Sequence, residues 1–79
     1  MTDIQVDHTL DAVGLRCPMP LLKTKQALSS LQPKEVLKVV ATDAGAKRDI
    51  PAFVALTAHR LLDSLEQSEL FIFYIEKGE

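Results

Sequence analysis

Two prolines, two residues apart, constrain this chain more than any other feature. Pro18 and Pro20 stand in Gly14-Leu15-Arg16-Cys17-Pro18-Met19-Pro20-Leu21-Leu22-Lys23. An alternating apolar–polar pattern precedes this stretch and a helical pattern follows it. Proline has no N–H, so a pair spaced this way suits only the first turn of a helix, where donors lack partners anyway. Pro18 is expected as the first helical residue and Pro20 as the third, which makes Cys17 the cap. The N–H groups of Cys17 and Met19 then remain near the sulfur. A helix start carries roughly half a positive charge, and Arg16 adds a full one beside it. All three influences favour thiolate over thiol, so Cys17 is expected to have a depressed pKa and to be reactive. An inert cysteine belongs in an apolar interior, and this position is neither apolar nor deep.

Cys17 is the only cysteine among 79 residues. It has no internal disulfide partner, which suits a reducing cytoplasm. Nor is there a second thiol to resolve an adduct, so sulfur chemistry at Cys17 must be completed by another molecule. The length bounds one domain, residues 1–79, near the lower limit for a self-sufficient core. No apolar run approaches the roughly 20 residues that span a bilayer. Met1-Thr2-Asp3-Ile4-Gln5 lacks the basic start and apolar run of a signal peptide. One cysteine and two separated histidines, His8 and His59, match no metal-ligand spacing, and three glycines form no phosphate loop. No metal or cofactor is expected, and no Cys–His catalytic pair.

The net charge of −2 is unevenly spread. Residues 14–48 carry seven cations and two anions, and the remainder two cations against nine anions. The cysteine-bearing half is basic and suits an acidic partner surface. Direct nucleic-acid binding is not expected, because the balance is acidic and aromatic residues are few.

Taken in order, Val6–Ala12 alternates and reads as a half-buried strand. Residues 18–31 read as a helix with Pro20, Leu21, Thr24, Ala27, Leu28 and Leu31 on the buried face. Met19 and Leu22 fall outside that face, beside the cysteine turn, and are candidate docking residues for a protein. Glu35–Thr42 reads as a central strand. Strand, helix and strand of these lengths make a right-handed crossover with parallel strands. Both strands then end at one edge, so a loop at 43–49 would bring Lys47 and Arg48 close to Cys17. Asp49 or Ile50 is expected to cap a second helix with Pro51 in its first turn. Its buried face would hold Pro51, Val54, Ala55, Ala58, Leu61 and Leu62. Phe53, close to that helix start, would join the cysteine edge as a third docking residue. Leu70–Ile75 is a strand. Residues 62–67 fit either a strand or a continued helix.

Leu10-Asp11, Gly14–Pro20 with its Cys-Pro-x-Pro motif, and Asp43–Phe53 together resemble the TusA family of sulfur carriers, including SirA-like and YedF-like members. The resemblance runs from about Thr9 to Lys77. It implies an α/β two-layer sandwich of order βαβαββ, with a mixed four-stranded sheet and both helices on one face. The tail becomes a hairpin, roughly Leu62–Gln67 against Leu70–Lys77. It implies a persulfide on Cys17, received from a cysteine desulfurase or a rhodanese-like donor. The sulfur passes to an acceptor protein, as on the route to 2-thiouridine in tRNA. Arg16, Pro18, Met19, Pro20, Lys47 and Arg48 would support the site. Such a chain is a persulfide relay rather than a turnover enzyme. A cysteine-based redox switch and a regulatory interaction module are the alternatives.

Overall fold

The computed structural model describes residues 4–79. Strand β1 (His8–Ala12) leads into helix α1 (Met19–Ser29) and strand β2 (Val36–Ala41). Helix α2 (Ala44–Ala55) and the hairpin of β3 (Arg60–Gln67) and β4 (Leu70–Glu76) follow. The sheet runs β1-β2-β4-β3. β1 is parallel to β2, with Leu10 opposite Val39 and Ala12 opposite Ala41, and the other pairings are antiparallel. This is the expected α/β sandwich with a mixed four-stranded sheet.

The period-2 pattern of the strands decides which face is covered. Ala12, Leu37, Val39, Ala41, Phe73 and Ile75 point one way and meet Leu28 of α1 and Ile50 and Val54 of α2 in one core. Both helices therefore lie on one face. Thr24 is fully buried among these side chains, and its hydroxyl donates to the Pro20 carbonyl at 2.8 Å. Lys38, Val40, Ile72 and Tyr74 alternate with the core positions and face the open side.

Three boundaries differ from the sequence reading. Met19, not Pro18, is the first residue of α1, with Pro18 as cap and Pro20 second. Helix α2 starts at Ala44, because the Asp43 carboxylate accepts the Gly45 N–H at 3.0 Å. That is a strong N-cap, and it turns the expected loop 43–49 into helix. Pro51 then lies inside α2, where Lys47 cannot receive its usual backbone donor. Helix α2 also ends early. The Leu56 and Thr57 N–H groups bond back to Phe53 and Val54 at 3.0 Å each, and the Thr57 hydroxyl caps Val54 at 2.8 Å. Ala58, Leu61 and Leu62 are thus not helical. Leu61 reaches the core from β3 instead, next to a register shift between Leu61 and Asp63.

Ser68 and Glu69 close the hairpin with φ of 51° and 68°. Two consecutive positive φ values match the twist of the flanking strands. Among the described residues no helix is long and apolar enough to cross a membrane.

Candidate functional site

The site is built where β1 ends. Gly14 turns the chain with φ of 83°, a conformation that suits glycine, and its N–H donates to the Thr42 hydroxyl at 2.9 Å. The loop after β1 is thereby tied to the end of β2. Leu15 packs onto the core and holds the next residues at the rim. Arg16, Cys17, Pro18 and Met19 then form a tight turn, in which the Met19 N–H donates to the Arg16 carbonyl at 2.8 Å. The Cys17–Pro18 peptide in this turn is cis. Cys17 is exposed.

The second wall is the start of α2. A Cβ on Gly45 would lie 3.4 Å from the Cys17 Cβ and 2.8 Å from Asp43 Oδ2. The first distance is an ordinary contact and the second is not, so a side chain at Gly45 would press on the Asp43 cap rather than on the cysteine. Asp49, one turn further on, faces the sulfur: the Cys17 thiol donates to Asp49 Oδ2 at 3.5 Å. The other Asp49 oxygen accepts from Arg48 Nε at 3.5 Å.

This arrangement reverses the electrostatic expectation for Cys17. Its thiol is pushed above the ordinary cysteine range. The hydrogen bond to Asp49 is the largest cause, followed by desolvation and by the charges of Asp49 and Asp43. Arg48 opposes them, and Arg16 does not figure among the charges acting on the sulfur. The Met19 N–H, expected to face the sulfur, is engaged within the turn.

The expected supporting residues separate into two groups. Arg48 stays beside Asp49 and reaches the sulfur's field. Lys47 does not: its ammonium pairs with Glu66 of β3 at 2.7 Å and lies 5.9 Å from the Phe71 ring centre. The reason is helical geometry. Gly45 and Asp49 are four apart and share a face, whereas Lys47 lies about 200° around from each. Met19 and Leu22 are exposed, as read from the sequence. Phe53 is not at the cysteine edge, because the early start of α2 makes it the tenth helical residue. It lies under Lys25, 5.2 Å from ring centre to ammonium, and 6.2 Å from the His59 ring. Sequence reasoning missed Asp43, Gly45 and Asp49. The signal was there: placing the cap at Asp43 puts Gly45 and Asp49 on the face toward Cys17.

A family model described as Sulfurtransferase TusA matches residues 8–77. The chain belongs to the TusA family of sulfur carriers. It is 43% identical over 76 residues to the sulfur carrier protein TusA of Pseudomonas fluorescens, covering 96% of this chain and 92% of that protein. It is 42% identical to the TusA of Allochromatium vinosum, covering 91% of this chain and 95% of that protein. The crystal structure of a SirA-like protein from Desulfitobacterium hafniense has the same fold, with a TM-score of 0.79 at 24% identity. That match covers 91% of this chain and 99% of the other. In this chain the Cys-Pro-x-Pro turn lies at the strand-end rim described above.

Proposed function

We propose that Cys17 carries sulfane sulfur as a persulfide, taken from a cysteine desulfurase or a rhodanese-like donor and handed to an acceptor protein. The observation that supports this most directly is the exposure of Cys17 at the rim. A partner's cysteine must attack the outer sulfur, and an exposed thiol on a rigid turn admits that approach. The chain offers its sulfur to a partner rather than enclosing a substrate, as suits a relay. The acceptor side could lead to 2-thiouridine in tRNA. A reducing cytoplasm fits a thiol that must remain free. Met19 and Leu22 beside the turn are docking residues on this reading. Phe53, half-buried under Lys25 and away from the turn, is not one of them.

The test is intact mass after incubation with a cysteine desulfurase and cysteine. A gain of one sulfur, lost on reduction and absent from Cys17→Ser, is expected. No gain with any persulfide donor would refute the proposal.

A further inference from the structure

The geometry points to a role for Asp49 in the direction of sulfur flow: its carboxylate favours the unloaded thiol of Cys17 over the loaded persulfide, and so promotes delivery. This rests on the carrier reading of Cys17. In the unloaded protein the thiol donates its proton to Asp49 Oδ2 at 3.5 Å. A loaded cysteine has a terminal sulfur about 2 Å beyond Sγ. A persulfide is a stronger acid than its parent thiol, because the neighbouring sulfur weakens the S–H bond. The loaded state therefore carries a negative charge where the unloaded state carries a hydrogen-bond donor. The charged groups facing that position from α2 and its cap are Asp49, Asp43 and Arg48, and Arg16 precedes it in its own segment. Two carboxylates repel the new charge. Arg48 offsets them weakly, since its side chain is 86% exposed and well screened.

The transfer step balances. The acceptor thiol first gives its proton to the loaded anion; the resulting thiolate attacks the terminal sulfur of Cys17–S–SH, a new S–S bond forms on the acceptor, and the Sγ–S bond breaks. Its electron pair leaves on Sγ. The proton of the terminal sulfur moves from the new, more acidic acceptor persulfide to Sγ. The products are an acceptor persulfide anion and a Cys17 thiol that again donates to Asp49. No net oxidation occurs. Asp49 thus stabilises the product side of delivery and destabilises the reactant side. It acts twice on one atom.

The experiment compares wild type, Asp49→Asn and Asp49→Glu, with circular dichroism and thermal melting to confirm folding. The first readout is alkylation rate of the unloaded protein against pH. Asp49→Asn is expected to move the midpoint down, each pH unit being about a tenfold rise in thiolate at pH 7. Asp49→Glu should restore the wild-type direction. The second is the loaded fraction at equilibrium in a fixed mixture of glutathione persulfide and glutathione, read by intact mass. Asp49→Asn is expected to retain sulfur several-fold more than wild type. An unchanged midpoint, or an unchanged loaded fraction in a wild type that does load, overturns this inference alone. A wild type that never loads overturns the carrier reading, and this inference with it.

Discussion

Cys17 sits against a carboxylate, and that changes what its neighbours are for. The turn before α1 holds the sulfur in place, and the charge that acts on it comes from α2. The two prolines divide the work accordingly. Pro20 is fully buried, whereas Pro18 is exposed. Pro20→Ala removes two buried methylenes, about 0.8 kcal/mol each, and is expected to destabilise by about 1–2 kcal/mol. Thermal melting checks this, at about 4–8 °C per kcal/mol for a domain of this size. Gly45→Ala probes the other wall. Its Cβ would press on Asp43 Oδ2 at 2.8 Å and make an ordinary contact with Cys17 at 3.4 Å. Expected is a loss of about 1 kcal/mol in stability as the cap shifts, together with altered alkylation of Cys17. A variant with wild-type melting and wild-type alkylation would show that the close approach is not needed.

At the scale of elements, β1, α1, β2 and β4 were legible because their periodicities are clean and their stop signals local. Helix α2 was not, for two opposing reasons. Its start depends on a single side chain, Asp43, whose carboxylate captures the Gly45 N–H; Pro51 then misleads by suggesting a first turn that lies elsewhere. Its end depends on the Thr57 cap, while Leu61, Leu62 and Leu65 carry a pattern that helix and strand share. The displaced start reaches the site: from the sequence Lys47 and Phe53 fall at the cysteine edge and Asp49 at the cap, whereas the Asp43 cap moves all three into the helix. The β3–β4 turn gives a direct test of element energetics. Ser68 and Glu69 adopt left-handed φ without being glycine or asparagine. Replacing them by Asn-Gly should stabilise the protein by about 1 kcal/mol or more, measured by urea unfolding. The C-terminal tie is pH-dependent. The Gly78 N–H donates to His59 Nδ1 at 2.8 Å, and burial followed by Lys77 lowers the His59 pKa below 6.5. A lowered folded-state pKa means that the unfolded chain binds the proton first. The stabilisation is complete above about pH 6.5 and is lost as pH falls through that value toward the lower folded one. The melting temperature should therefore decline on that side, and less so in His59→Asn.

Across the whole molecule, the basic half and the acidic half meet near the sulfur rather than lying apart. Arg48 and Lys47, adjacent in sequence, point into different fields. Arg48→Glu should slow sulfur uptake at low salt by removing the one cation that acts on Cys17, with the effect fading as the screening length falls from about 10 Å at 0.1 M to about 3 Å at 1 M. Lys47→Glu should leave uptake near wild type, since its partner is Glu66 at the far edge of the sheet. Equal slowing by both variants would mean that overall charge, not local placement, guides the encounter.

Because β1 is an edge strand, the cysteine that follows it occupies a corner of a body about 29 × 28 × 19 Å. A corner has room for one visitor. On the proposed relay, donor and acceptor both reach for this one sulfur and their footprints overlap, so each occupant leaves before the next arrives. Loading should therefore be inhibited competitively by surplus acceptor, even by an acceptor whose own cysteine has been removed.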